Sequence, residues 1–249
     1  MKRLVFIFAF LLCCSAIQVQ ARGIMTMCGA GMPVAGCTTP SGTVLSESFG
    51  DGGTDTDATW ATSGDSYTYK HELQASSPAG SCTYGLLHDT ANESGERVYW
   101  DNGSGIDYSN TNVTIEFSLY VNSFTIDNSA NIIFMSWATA NAGSINNTIT
   151  VRFYKTSGGA LQLFAGGASN STMVGISTET WYTVKIHINT TAASSYFQVT
   201  GGGSTTCDTA NECKFSRSDQ SGRYLVIGSL NGEGAAEAIS YEIGYVTVN

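Results

Sequence analysis

Val113-Thr114-Ile115-Glu116-Phe117-Ser118-Leu119-Tyr120-Val121 decides the fold. Every odd-numbered residue is apolar, while the even positions carry Thr114, Glu116, Ser118 and Tyr120. Successive side chains of an extended chain point to opposite faces, so this spacing buries one face and leaves the other polar. The same period recurs at Ile149, Val151 and Phe153, opposite Thr150, Arg152 and Tyr154. It recurs again at Tyr182, Val184, Ile186 and Ile188, opposite Thr183, Lys185 and His187. Residues 132–137 and 224–230 are almost continuously apolar, as in strands covered on both sides. Residues 239–248 read as one long closing strand. Shorter strands are predicted at 44–49, 67–73, 84–88, 97–100, 161–164 and 196–200. No segment sustains a 3.6-residue period and no strand–helix–strand alternation occurs. The chain is therefore predicted to be all-β, a two-sheet antiparallel sandwich with little helix.

Composition bounds what this sandwich does. The chain has 249 residues and 42% hydrophobic content, enough for a packed core. Charged residues are only 12%, and 20 acids outnumber 11 Lys and Arg for a net charge of −9. Nucleic acid is excluded as a partner, since phosphate-backbone affinity needs clustered cations. Lys2 and Arg3 precede an apolar run over 4–12, and Val19-Gln20-Ala21 fits a cleavage site, so 1–21 reads as a signal peptide. The run is too short to span a bilayer, and no second one follows. The product is expected to be secreted or at the cell surface, without membrane insertion. Residues 22–43 form an irregular Gly-, Met- and Thr-rich leader with Cys28, Cys37, Pro33 and Pro40, and 44–249 is one unit.

In an oxidising compartment the cysteines left after cleavage are read as disulfides. Local pairing gives Cys28–Cys37 and Cys207–Cys213 and leaves Cys82 over; other connectivities stay open. A zinc site is not expected, because close C-x-x-C pairs and interleaved histidines are both missing.

The order of elements resembles the concanavalin A-like lectin/glucanase jelly roll, in particular its laminin G-like branch. The resemblance is carried by Ser46-Glu47-Ser48-Phe49 leading to Trp60, by residues 113–121 and 149–154, by Trp181-Tyr182-Thr183-Val184-Lys185-Ile186, and by Ile239-Ser240-Tyr241-Glu242-Ile243-Gly244-Tyr245-Val246. It covers about 44–249. It implies a jelly roll whose relatives are lectins, enzymes or protein binders, so function must come from the residues.

Glucanases of this fold place two glutamates on one strand in E-x-D-x-x-E spacing. Here the corresponding strand offers Glu116 alone, and Glu237 and Glu242, five apart, fall on opposite faces. Alginate lyase-like relatives use Arg, Gln, His and Tyr. Arg152, Tyr154, Lys185 and His187 all project from polar faces and could cluster if their strands are neighbours. The R-x-E-x-R, Q-x-H and Y-x-K-x-G-x-Y-x-Q signatures are absent, however, and the simpler reading is a solvated face where Glu116 balances Arg152 or Lys185. Asp51-Gly52-Gly53-Thr54-Asp55-Thr56-Asp57 is an oxygen-rich loop, a candidate for structural Ca2+ through Asp51, Asp55 and Asp57, although turn chemistry alone also explains it.

The remaining signal is aromatic. Tyr67, Tyr69 and His71 share a strand face, and Tyr99 and Trp100 precede Asp101 and Asn102. Rings stack on sugars while amides and acids grip hydroxyls, whereas Trp60, Trp137 and Trp181 are expected in the core. These residues point to a lectin-like, non-catalytic module binding a glycan or another extracellular polymer through Tyr67, Tyr69, His71, Tyr99, Trp100, Asp101, Asn102, Glu116, Tyr120, Arg152, Tyr154 and His187. The alternatives are a polysaccharide lyase or glycoside hydrolase of the same fold, or an adhesive surface subunit that self-assembles through its leader by strand addition.

Overall fold

The computed structural model describes residues 42, 44–48, 60–63, 71–74, 85–91, 97–125, 127, 131–140, 149–202, 204–207, 213–228 and 238–249. The expected signal peptide (1–21), nearly all of the expected leader (22–43), the 51–57 loop, Tyr67, Tyr69, Cys28, Cys37 and Cys82 lie outside this set.

In chain order the strands are β1 (Leu45–Ser48), β2 (Trp60–Ser63), β3 (His71–Gln74), β4 (Gly85–Ala91), β5 (Arg97–Asp107), β6 (Val113–Thr125), β7 (Asn131–Ala138), β8 (Ile149–Lys155) and β9 (Leu161–Gly166). They continue with β10 (Val174–Gly175), β11 (Trp181–Ile188), β12 (Ser195–Gly201), β13 (Ser204–Thr206), β14 (Lys214–Phe215), β15 (Ser221–Gly228), β16 (Ala238–Ile243) and β17 (Tyr245–Val248). The one helical piece among the described residues is a 3-10 turn at Ala192–Ser194. All pairings are antiparallel. The larger sheet runs β13-β12-β11-β6-β16-β4-β3, with β17 also on β6, β1 on β17 and β14 on β12; the smaller runs β10-β9-β8-β7-β15-β5-β2. This is the two-sheet antiparallel sandwich the alternation predicted, consistent with the jelly roll the resemblance implied. No helix among the described residues is long and apolar enough to cross a membrane.

β6 is the spine of the larger sheet. Its apolar set Val113, Ile115, Phe117, Leu119 and Val121 is fully buried, and Val184, Ile186 and Ile188 of β11 lie beside it in register. Across the interior, Phe134 receives Phe117 edge-on at 5.9 Å, Tyr241 at 5.4 Å and Phe153 in a stack at 4.2 Å. Four rings from four strands thus close the two sheets together. Each contributes about 1.5–3 kcal/mol by burial. Phe134 reaches this position because β7 carries a bulge between Ile133 and Met135, which lets Phe134 and Met135 both turn inward.

Trp137 and Trp60 belong to the core, as expected, and Trp60 Nε1 donates to buried Glu47 at 2.8 Å, a tie between β2 and β1 of opposite sheets. Trp181 is buried as expected, but outside the cluster between the sheets. It pairs in register with Tyr120, and the outer-face parity it shares with Thr183 and Lys185 carries its ring outward.

The closing strand is two strands rather than one. β16 pairs with β4 and β6, the chain breaks at Gly244, and β17 pairs with β1 and β6. The Ser118 hydroxyl receives the Gly244 amide at 3.0 Å and the Tyr245 amide at 3.1 Å. Glu242 faces outward opposite Tyr120, yet Tyr245 also faces outward, so the break shifts the alternation by one residue. The Cys207–Cys213 disulfide forms as local pairing predicted, with Cα atoms 5.3 Å apart, and joins β13 to β14 at the edge of β12.

Candidate functional site

The polar set of β6 defines the outer face of the larger sheet. Register places it in rows across the strands. Thr114, His187 and Tyr196 form one row, Glu116, Lys185 and Gln198 the next, Ser118, Thr183 and Thr200 a third, and Tyr120 with Trp181 a fourth. Rows of one face are two residues apart, so the first and fourth stand about 20 Å apart along the strands.

The second row is fixed by its own contacts. Lys185 Nζ lies 2.8 Å from Glu116 Oε2, and the Tyr245 hydroxyl donates to Glu116 Oε1 at 2.8 Å. Both carboxylate oxygens are therefore engaged. Burial, and then the bond to Glu116, raise the Tyr245 phenol well above its ordinary value, so it stays a donor. Of the two partners proposed for Glu116, Lys185 is the one observed.

Ring pairs flank this row. The His187 imidazole stacks on Tyr196 with centroids 4.0 Å apart and planes at 16°, and His187 Nδ1 shares a hydrogen bond with Thr114 Oγ1 at 3.2 Å. Burial, then the Lys185 charge, lower the imidazole to about 4, against an opposing pull from Glu116; the ring is neutral near pH 7. In the fourth row the Tyr120 and Trp181 centroids lie 5.3 Å apart. Burial raises the Tyr120 phenol, helped by the Glu179 and Glu242 carboxylates. Lys214 of β14, opposite Tyr196, extends the first row with an exposed cation.

The other predicted site residues fall elsewhere. Arg152 and Tyr154 belong to β8 of the smaller sheet, whose outer face looks the opposite way, so the Arg152–Tyr154–Lys185–His187 cluster does not form. Arg152 instead bonds Thr150 Oγ1 at 3.0 Å and lies over the Phe164 ring. Tyr99, Asp101 and Asn102 also lie on the smaller sheet: Tyr99 meets Tyr224 edge-on at 6.1 Å, and Asp101 holds Arg223 in a two-point contact. Trp100, one residue from Tyr99, turns inward and stacks on Trp137 at 6.4 Å. It is a core residue, unlike its assignment as a ligand contact. His71 occupies β3 opposite His88. The sequence reading missed Trp181, Tyr196 and Tyr245 as members of the outer face.

Chemically the face offers fixed donors and acceptors between rings. Among the described side chains no second carboxylate stands beside Glu116. Glu242, the other β16–β6 acid of the face, lies in the Tyr120 row, about 13 Å of strand from Glu116, beyond the roughly 5–9.5 Å that paired-carboxylate hydrolysis uses. No group of three or more His, Cys, Asp or Glu among the described residues is arranged to hold a metal.

Fold and face together define a β-sandwich with a ring-flanked polar sheet surface. No family model matches the chain, and no curated protein matches it. Among solved structures it is similar to the PL7 alginate lyase AlyA1 from Zobellia galactanivorans, at 15% identity over 75% of this chain and 83% of that one, TM-score 0.47. It is also similar to the alginate lyase from Alteromonas sp. 272, at 11% identity over 72% and 93%, TM-score 0.41. A third likeness is to the binding domain of botulinum neurotoxin serotype D, at 11% identity over 82% of this chain and 47% of that one, TM-score 0.47. Residue roles do not transfer at such identities.

Proposed function

We propose that the outer face of the larger sheet binds a carbohydrate chain without cleaving it. The observation that carries this reading is the fixed Tyr245–Glu116–Lys185 cluster set between the His187–Tyr196 and Tyr120–Trp181 ring pairs. Rings supply flat apolar platforms, and pre-positioned polar groups between them need little reordering to bond hydroxyls. Secretion fits such a ligand, and the mature protein then begins at Arg22. The Asp51–Asp55–Asp57 loop is proposed as a Ca2+ site. Assembly through the leader is a separate proposal, checked by whether high-mass species vanish when 22–43 is deleted.

The test is a polysaccharide pull-down and a glycan array with the native protein and with Tyr196→Ala and Lys185→Ala. Native binding that weakens in both variants supports the reading. Folded protein that retains no glycan overturns it. Unsaturated or reducing-end products released from alginate, laminarin or pectin overturn its non-catalytic half.

A further inference from the structure

β5 and β15 are out of step in one place. Asp101 pairs with Tyr224 and Ile106 with Gly222, so Asn102, Gly103, Ser104 and Gly105 stand opposite Arg223 alone. The four residues bulge from the sheet, and Gly103 adopts a φ of 76° with open space around its missing side chain. An exposed Asn-Gly step is chemically weak, because no side chain shields the glycine nitrogen from the neighbouring amide carbon.

Both reacting groups are held. The Gly103 amide donates to Asp101 Oδ1 at 2.7 Å, and Asn102 Nδ2 donates to Ser104 O at 2.9 Å. Asp101 is pinned in turn by Arg223, whose Nε and Nη2 reach its two oxygens at 2.6 and 2.7 Å. The guanidinium bond, aided by the Gly103 amide, keeps the Asp101 carboxyl below its usual range. A carboxylate held this way is a weak base, and its charge opposes the amide anion that attack requires.

We propose that Asn102 is a self-modification site that the Asp101–Arg223 pair holds in check. Once the pair opens, the Gly103 nitrogen bonds to Asn102 Cγ, the Cγ–Nδ2 bond breaks, and the glycine proton leaves with the amide as ammonia. Water then opens the succinimide at either carbonyl and gives aspartate or isoaspartate. The new carboxylate stands beside Arg223 and competes with Asp101 for it, next to the Tyr99–Tyr224 contact.

The experiment is peptide mapping of aged protein in mildly alkaline buffer, reading the amide-to-acid mass gain and isoaspartate content at residue 102. The clamp is solvent-exposed, so losing it corresponds to about one ordinary hydrogen bond, and Asp101→Ala and Arg223→Ala should speed conversion about three- to tenfold over the native protein. Arg223→Lys, which keeps the charge without the fork, should fall between. In concentrated urea all four proteins should convert at one rate, faster than the folded native chain. Equal rates in folded native protein and clamp variants overturn the proposal. So does a folded native rate that matches the urea rate, a comparison that stands even if a variant fails to fold.

Discussion

Replacing Tyr196 by alanine removes the ring that covers one face of the His187 imidazole. In the native protein that imidazole is lowered from 6.5 to about 4, with burial as the first cause and Lys185 as the second. A drop of about 2.5 units corresponds to at most roughly 3.4 kcal/mol between charged and neutral forms. The ring is only half-buried, so solvent screening brings the usable figure to about 1–2 kcal/mol. The unfolded chain takes up the proton as pH falls through 6.5, while the folded chain refuses it until about 4. Stability from this group is therefore complete above pH 6.5 and declines as pH falls toward 4. The assay is an NMR titration of the imidazole protons, with His187→Gln assigning the resonance among the three histidines, alongside denaturant unfolding at several pH values. In Tyr196→Ala the His187 midpoint should rise by about one unit, and the loss of stability between pH 6.5 and 4 should shrink by about 1 kcal/mol. A native His187 that titrates near 6.5 would refute the reasoning, as would a midpoint indifferent to Tyr196.

Asp219 is buried and pushed up to about 6, with burial opposed by the Arg217 charge, so its contribution is lost as pH rises from 4 through 6. Asp219→Asn should stabilise the protein by about 1–2 kcal/mol at pH 7 and by nothing below pH 4 in denaturant titrations. A Cβ at Gly222 would press on both Trp137 Nε1 and the Tyr108 hydroxyl in the core, so Gly222→Ala should cost at least about 1–3 kcal/mol by thermal unfolding, unlike the open Gly175→Ala. Opening the short Cys207–Cys213 loop with Cys207→Ala and Cys213→Ala together should cost about 2 kcal/mol in chemical unfolding.

Alternation over residues 113–121, 149–154 and 182–188 exposed the sandwich in the sequence, because one strand's parity is a local property. Parity also held the position of Trp181, which shares its face with Lys185; a preference for large rings in cores obscured it. Which sheet a strand joins is not local. Arg152 and His187 look alike in sequence, yet their strands pair with different partners through contacts far apart along the chain. The Lys185–Glu116 pair was legible as one of two choices, whereas the Tyr245–Glu116 bond depends on a break that the smooth apolar run of 239–248 concealed. Its trace was present: Ile239, Tyr241 and Ile243 are odd, while Val246 and Val248 are even.

Gly244 acts as a phase shifter. Without the one-residue slip there, Val246 and Val248 would point to solvent and the Tyr245 phenol would sink into the interior. Gly244 is thus an extra residue between two alternating runs: with it removed, Ile243, Val246 and Val248 would share one face by unbroken alternation and the Tyr245 phenol would still stand beside Glu116. What the terminal strand requires is the slip itself or its removal, because a full-length chain held in strict alternation through 244 would put Val246 and Val248 on the wrong face.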